Sequence, residues 1–333
     1  MINRRRFIQS TATAAAAVGA GLFPTTPVSA AGATPVAFYR HSGMPDMPEA
    51  EADAALRGLV DAVVRDVSGE PDAEAAWKAL FRSDDKVAIK VNCMAGLMSP
   101  GMDLINAVVD GLKVAGVDPD RIIIFDKEDR DLIGAGYELR HEPPGPLIYG
   151  TVGGPSGPGY NPRNTTRGGS TYRVTNILTE ATAIINVPVV KDHVFAGITG
   201  ALKNHFGTIH NPEDFHYINN CSPAVAEVNL APPLRSRQRL IIGDARNVQY
   251  DGGPSYHPEA IHQYSAVFGG IDPVAVDSQI LALIDTLRDQ NNLPIISETE
   301  RPCRYLEAAA EKDIGTLDPD NIDLYYADFA EDM

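Results

Sequence analysis

The sequence predicts an α/β protein with a doubly wound, mostly parallel sheet, helices on both faces and one long insertion rich in Gly, Pro and Arg. Two observations predict this fold class. Short, continuously apolar runs, typical of strands buried on both faces, alternate with longer segments of helical periodicity. The chain also has 333 residues and a hydrophobic content of 44%, enough for a large buried core.

The first half of the chain alternates helical and strand signals. Leu and Val at spacings of three and four residues predict the first helix, and Gly116 closes the third. The strands are short and rich in β-branched residues. The predicted elements are helices over Glu49–Val67, Ala73–Phe81 and Met102–Ala115, and strands over Val87–Val91 and Ile122–Phe125.

The second half continues the alternation. Ala183–Val187 and Leu240–Ile242 are predicted as buried parallel strands. Asp272 as the N-cap and Pro273 at the first helical position predict a helix that ends near residue 290. Ile322–Tyr326 is predicted as a last strand.

The insertion covers residues 143–171 and has arginines in or beside it. Loops this long inside a domain are usually functional or disordered. We therefore expect a lid that presents Arg163 and Arg167 to an anionic substrate, the alternative being a solvated surface loop. The domain is predicted to span residues 31–333, either as one unit or as two lobes, 31–150 and 172–333, joined by this loop.

The first thirty residues have the layout of a twin-arginine export signal. Asn3–Ile8 contains three arginines followed by two apolar residues, an Ala-rich stretch follows, and Val28–Ala30 predicts cleavage near Ala30. The apolar stretch of about a dozen residues is shorter than the roughly 20 that span a bilayer. We expect a periplasmic or otherwise exported protein with no stable membrane anchor, and the twin-arginine translocase as its partner during export.

The charge balance is strongly acidic. The chain has 44 Asp and Glu against 28 Lys and Arg, a formal net charge of -16. The predicted signal contains three of the arginines and no acid, so its removal makes the net charge more negative. Such a surface repels phosphate backbones, and nucleic acid is therefore excluded as an expected partner.

Cysteine and glycine usage restrict the cofactors. Three cysteines, Cys93, Cys221 and Cys303, are too few for an iron–sulfur cluster held by four thiolates. One disulfide or three buried thiols both remain open. The glycines of Gly153–Gly157 neither follow a predicted strand nor open a helix, so no NAD site is expected.

Polar residues follow the predicted strands at their carboxyl ends, where open α/β sheets bind ligands. Because the carboxyl ends of parallel strands meet at one edge of a sheet, we predict a shared site there for a small anionic ligand, with Arg246 as a further substrate-binding residue. The residues at these ends are Asn92 and Cys93, Asp126 and Lys127, Lys191 to His193, and Asp244 with Arg246.

The segment Val189–Cys221 contains four of the eight histidines and two lysines. Imidazole is the commonest metal ligand in proteins, and a desolvated lysine can act as a base, a Schiff-base nucleophile or an anion clamp. The residues predicted as catalytic are Lys191, His193, Lys203 and Asn204. The residues predicted to ligate a divalent metal of unknown identity are His193, His210, His216, Asp244 and Asp126.

Several blocks of this sequence resemble the signature of the family called domain of unknown function 362, from about Lys86 to Leu287. The first blocks are Ile185–Pro188, Lys191–His193, Gly197–Asn204 and Phe206–Gly207. The later blocks are Ile242–Ala245, Gln249–Pro254 and Asp272–Asp277.

The resemblance implies which residues belong to the signature, but the family name implies no activity. Many relatives carry a ferredoxin-like cysteine cluster, which this chain lacks. The commoner signature of the family is Lys-Thr-His, whereas Lys191–His193 reads Lys-Asp-His, as the resemblance implies for exported relatives. The chemistry-bearing residues in the blocks are Lys191, His193, Lys203, Asn204, Asp244, Gly252, Gly253, Asp272 and Asp277.

Three functional hypotheses follow from these observations. The first is a hydrolase, lyase or isomerase that uses a divalent metal or a lysine–histidine pair on a small anionic substrate. The second is a periplasmic ligand-binding protein without turnover. The third is a redox accessory protein that works through Cys93, Cys221 or a bound metal.

Overall fold

The computed structural model describes residues 32–94, 96–153 and 157–330. The predicted export signal and part of the Gly153–Gly157 run lie outside the described residues. The strands are β1 (Thr34–Arg40), β2 (Val87–Val91), β3 (Ile122–Phe125), β4 (Leu147–Ile148), β5 (Thr165–Arg167), β6 (Ser170–Tyr172), β7 (Ala183–Val187), β8 (Val189–His193), β9 (Gly197–Thr199), β10 (Gln238–Gln249), β11 (Ile261–Gly270) and β12 (Ile322–Asp328).

The helices alternate with these strands. They are α1 (Glu49–Ser68), α2 (Ala73–Leu80), α3 (Met102–Val114), α4 (Asp129–Gly134), α5 (Asn176–Glu180), α6 (Ala201–Asn204), α7 (Glu213–His216), α8 (Ala224–Asn229), α9 (Pro232–Arg237), α10 (Pro273–Gln290) and α11 (Arg304–Glu311). None of the helices in the described ranges has the length and apolar character needed to cross a membrane.

One ten-stranded mixed sheet organises the molecule. Eight strands run in the order β12-β1-β11-β10-β7-β2-β3-β4, and β8 and β9 attach beside β10. The pairs of β10, β7, β2, β3 and β4 are parallel, as is the pair of β1 with β12, whereas β11 is antiparallel to both of its neighbours. The predicted α/β class with a mostly parallel sheet is confirmed, and strands from both predicted lobes belong to this one sheet.

Both faces of the sheet are covered by helices. Helices α1, α2 and α3 bury Leu59, Trp77 and Leu104 against one face. Helices α8, α10 and α11 bury residues such as Val225 and Ile280 against the other. Strands with two covered faces need apolar side chains on both, which explains the continuous apolar runs of β2, β3 and β7.

The predicted bounds of the central elements are confirmed. Strands β2, β3 and β7 have the predicted limits, and the long helices differ by one residue at most. The predicted strand Leu240–Ile242 is the centre of the twelve-residue β10. Strands β1 and β11 were not predicted. Near the start of β11, the polar, solvent-facing His262 and Gln263 interrupt the apolar pattern that would have indicated a buried strand. The long insertion contributes β4 to the sheet and forms a separate β5–β6 hairpin.

The long strand β10 creates the position of the site. Its first half pairs with β7 and its second half with β8, which follows β7 after the single residue Pro188. Strand β2 stops at Val91, opposite the end of β7, so β8 continues beyond the carboxyl ends of β2 and β3. The side chains of β8 can therefore meet residues that follow β2 and β3.

Candidate functional site

A buried ion pair lies at the carboxyl ends of β2 and β3. Lys90 Nζ is 2.7 Å from Asp126 Oδ1, and both side chains are almost completely buried. The same amine donates to the backbone oxygen of Val91 (2.5 Å), and the carboxylate accepts the backbone amide of Cys93 (2.7 Å). Gly207 leaves room for the pair, because a Cβ there would lie 2.9 Å from Lys90 Nζ. The pair is therefore a fixed, fully partnered unit.

Three asparagines connect this pair to α6. Asn204 Oδ1 accepts from Lys90 Nζ (3.0 Å) and from Asn92 Nδ2 (3.3 Å). Asn204 Nδ2 in turn donates to Asn186 Oδ1 (2.8 Å), and Asn186 Nδ2 donates to the backbone oxygen of Ala201 (2.8 Å). Buried amide networks of this kind hold their members in one arrangement when every group is satisfied. Asn204, predicted as catalytic, thus positions α6 against the ion pair.

Lys191 reaches the same region from β8 without an acidic partner. Its side chain is 1% exposed, and its amine donates to Asn92 Oδ1 at 3.2 Å. No carboxylate within the described ranges forms an ion pair with it. Burial lowers the pKa of Lys191 to about 8, opposed by the negative charge of Asp126.

Lys203 is the second buried lysine without an acidic partner. Its amine lies 2.9 Å from His216 Nε2 and 4.3 Å from the centre of the Phe206 ring. Among the residues that the structure describes, no carboxylate pairs with this amine. Burial lowers the pKa of Lys203 to about 8. In the described part of the chain, the contacts of this buried cation are thus an imidazole and an aromatic face.

His193 and His216 lie side by side next to Lys203. Their rings stack with centroids 5.7 Å apart. His193 Nδ1 accepts the backbone amides of Phe195 (3.1 Å) and Ala196 (3.2 Å), so in the neutral ring the proton is on Nε2. Burial and the charge of Lys203 lower the pKa of His216 to about 4 and that of His193 far below its usual value. Both imidazoles are neutral at pH 7.

A buried carboxylate positions the first turn of α6. Asp277 of α10 accepts the backbone amides of Ala201 (2.5 Å) and Leu202 (3.0 Å), which open the helix that carries Lys203. Gly200 is required there, because a Cβ would lie 2.3 Å from Asp277 Oδ1. Burial raises the pKa of Asp277 to about 7, although the two amides favour its charged form.

We expect Asp277 to make stability depend on pH. Because the pKa is raised from 3.8 in the unfolded chain to about 7 in the folded protein, the folded state keeps its proton longer. The contribution of protonated Asp277 to the free energy of unfolding is therefore fully present below about pH 4 and is lost as the pH rises through 7. Between pH 5 and pH 8, the free energy of unfolding measured in urea should fall more for wild type than for Asp277→Asn. An equal drop in both proteins would contradict this assignment.

Of the five residues predicted as metal ligands, two are in contact and three have other partners. His193 and His216 form the stacked pair. The other three are His210, whose Nδ1 accepts the backbone amide of Arg173, Asp126, which pairs with Lys90, and Asp244, which pairs with Arg246. Across the described ranges, no three or more His, Cys, Asp or Glu side chains are grouped so that they could hold a metal.

The predicted substrate-binding arginines have contacts of their own. Arg246 pairs with Asp244 (2.7 Å) and with Asp103, and lines a cavity of about 400 Å³ beside α1 and α3. Arg163 is exposed, and Arg167 donates to the backbone oxygens of Leu230 and Thr166. Neither lines this cavity or the one below, and their role as a lid stays a prediction.

A second cavity, of about 590 Å³, opens on the histidine side of the cluster. It is lined by Val194, Phe195, His216, Tyr217, Asn220, Thr299, Glu300 and Arg301. His216 separates this cavity from Lys203, and Arg301 enters it while paired with Asp192 (2.5 Å) and Asp251 (3.2 Å). Phe195 and Tyr217 pack edge to face at 4.8 Å on its wall.

Sequence reasoning missed several residues of this arrangement. Lys90 is inside an apolar strand, and Arg301 lies in a segment with no motif. A single lysine among the four apolar residues of β2 is a signal that could have found it, since a lysine in a strand buried on both faces needs a partner. No sequence signal identifies Arg301.

The three cysteines are free thiols, and all are buried. Burial raises the pKa of each, although the charge of Lys203 opposes this for Cys221. Of the two alternatives, the structure has buried thiols in place of a disulfide.

The comparison with known proteins identifies a family. A family model described as "Domain of unknown function (DUF362)" matches residues 87–282, more than half of the chain, including Lys90, Lys191 and Lys203. No curated protein matches this chain. The match starts at the first residue of β2 and ends within α10, so it contains the strand ends and the helix that carry the site. The chain belongs to the DUF362 family.

Proposed function

We propose that this chain is an exported enzyme that binds a small anionic substrate at Lys191 and Lys203 and transfers protons through Lys203 and its histidine neighbours. The reaction class is a hydrolase, lyase or isomerase. The N-terminal twin-arginine segment supports export, and the twin-arginine translocase is the proposed partner.

One observation carries the proposal. Lys191 and Lys203 are both buried, and neither has a carboxylate partner within the described residues. A buried charge without a partner is costly, and proteins retain such groups chiefly where a ligand or a reaction uses them. A bound anion would supply the missing negative charge for both amines.

The arrangement of Lys203 and His216 supports proton transfer. The amine and the imidazole nitrogen are 2.9 Å apart, within the range for direct transfer. With a pKa of about 8, the Lys203 amine is mostly protonated at pH 7 but can release its proton readily. Because the pKa of His216 is about 4, its neutral ring accepts a hydrogen bond from the amine but does not take its proton. The fraction of Lys203 that has lost its proton to solvent, which grows as the pH rises towards 8, can act as a base or as an amine nucleophile.

A divalent metal at His193 and His216 is the second form of the proposal. These are the two predicted ligands that the structure brings into contact, at a centroid distance of 5.7 Å. Two imidazoles alone are fewer ligands than protein metal sites generally use, so a substrate atom would have to complete the shell. Elemental analysis of protein purified without chelators, beside a His193→Ala/His216→Ala variant, tests this form.

We expect anion binding to follow the protonation of the two amines. Acetate and phosphate titrated calorimetrically at pH 6.5 should bind more tightly than at pH 9.5, because the charge that attracts them is lost above about pH 8. Lys191→Met should weaken binding by about tenfold or more, the value of one charge-assisted hydrogen bond.

The matched control is Lys113→Met, which removes an exposed lysine paired with Asp110 on α3. It should leave anion binding unchanged. Affinity that depends neither on pH nor on Lys191 would contradict the proposal. Product formation from small carboxylates or phosphate esters separates an enzyme from a ligand-binding protein, since a binding protein would be stabilised by the anion without converting it.

A further inference from the structure

Two of the polar side chains that line the 590 Å³ cavity described above already have hydrogen-bond partners. Asn220 Nδ2 donates to the backbone oxygens of Phe195 and Glu300, both at 3.1 Å. Thr299 Oγ1 donates to the backbone oxygen of Ile296 at 2.6 Å. A polyhydroxylated or nucleotide ligand needs several free donors and acceptors, because each buried polar group left unpaired weakens binding. Asn220 Nδ2 and Thr299 Oγ1 are therefore not free donors for such a ligand.

The cationic side of this cavity is at its inner end. Arg301 is neutralised by Asp192 and Asp251, so its pairing leaves little charge for a ligand. Behind His216, however, the amine of Lys203 has no acidic partner in the described part of the chain. Glu300 also lines the cavity, and its side chain is exposed. The positive charge that lacks an acidic partner is therefore next to the end of the cavity lined by His216.

The outer wall is apolar and aromatic. Tyr217 is 79% exposed, and beside it Val194 and Ile218 are 51% and 56% exposed. Phe195 supports the Tyr217 ring from within. Large apolar side chains that are exposed together around a cavity indicate a binding surface, and aromatic walls favour flat rings with stacking geometry.

We propose that the substrate of this site is a small carboxylate or phosphate anion that carries an apolar ring, with its charged end at His216, the side chain between the cavity and Lys203, and its ring against Phe195 and Tyr217. This inference rests on the proposed function and names the substrate class for it. The cavity has the volume of sites for molecules of this size.

The test compares phenylacetate with acetate, which share the carboxylate and differ by the ring. Calorimetric titration at pH 6.5 should give at least tenfold tighter binding of phenylacetate. Tyr217→Ala should weaken phenylacetate by about threefold to tenfold and leave acetate unchanged, because only the ring loses its contact. Tyr217 is largely exposed, so this variant should fold and melt as wild type does.

Tyr256→Ala is the matched control, since Tyr256 is 42% exposed and does not line this cavity. It should change neither affinity. Equal affinities for the two anions, or a Tyr217→Ala variant with unchanged phenylacetate binding, would overturn the substrate class and leave the anion site intact. If neither acetate nor phenylacetate binds to the wild-type protein, the proposed function fails as well.

Discussion

Lys203→Met should abolish activity and weaken anion binding by at least tenfold while making the folded protein more stable. The amine is buried against the imidazole of His216 and the face of the Phe206 ring, and no carboxylate pairs with it among the described residues. Replacing such a cation with an apolar side chain of similar length should raise the free energy of unfolding by about 1–3 kcal/mol. Urea unfolding at pH 7 measures the gain.

The pH dependence distinguishes this account from simple repacking. The pKa of Lys203 is lowered from 10.5 in the unfolded chain to about 8 in the folded protein. Between these values the unfolded chain holds the proton and the folded protein does not, so wild-type stability rises with pH. The advantage of Lys203→Met should therefore shrink between pH 8 and pH 10.5.

A control lysine sets the scale for this first prediction. Lys86 is half-buried and pairs with the exposed Glu180 at 2.7 Å. Lys86→Met should change stability by less than about 1 kcal/mol, as is usual for surface pairs. If Lys203→Met lowers stability at pH 7 and keeps full activity, Lys203 is a structural residue and the proposed function is wrong.

Asp126→Asn should destabilise the protein by about 3–5 kcal/mol, the largest loss that we expect from one substitution at this site. The change leaves the Lys90 amine, 2.7 Å away and 1% exposed, as a buried charge without its counter-ion. It also weakens the bonds that the carboxylate accepts from the backbone amides of Cys93 and Lys127, both at 2.7 Å. Thermal and urea unfolding measure the loss.

A double-mutant cycle shows whether charge is the cause. Lys90→Met alone should also destabilise, because it leaves the Asp126 carboxylate without its counter-ion. In Lys90→Met/Asp126→Asn both charges are removed, so the double variant should be more stable than the sum of the single losses predicts. Strictly additive losses would show that the two side chains do not act as a pair.

The two predictions have opposite signs for a physical reason. Lys90 has a carboxylate partner and Lys203 has none in the described ranges, although both are lysines buried near the same strand ends. When one member of a buried ion pair is removed, the other is left as a buried charge without a counter-ion, and the free energy of unfolding falls. An unpartnered one lowers stability, and its retention points to function.

The helices and central strands of this protein were predictable from the sequence. Strands β2, β3 and β7 and helices α1, α3 and α10 were predicted within one residue, because apolar runs and helical spacing are properties of residues that are neighbours in the chain. Strand β11 was missed because the exposed, polar His262 and Gln263 near its start interrupt the apolar run that marks the other buried strands.

The candidate site was predictable only in part. Lys191 and His193 were predicted because polar residues at strand ends stand out against apolar runs, and Lys203 because it lies in the histidine-rich segment Val189–Cys221. Their partners were not, since Lys191 meets Asn92 across 99 residues of chain and Arg301 meets Asp192 across 109. No local pattern contains that information.

The sequence by itself determined the α/β class, the family signature and the chemistry-bearing residues of this protein, because these depend on local periodicity and residue type. Only the tertiary structure decided which charges are paired. The parallel pairing of β2 with β3 brings Asp126 to Lys90, and the extension of β8 past the end of β2 brings Lys191 to Asn92. Neither Lys191 nor Lys203 meets a carboxylate among the described residues. Pairing depends on where the sheet brings distant segments together, and that is decided by packing of the whole chain.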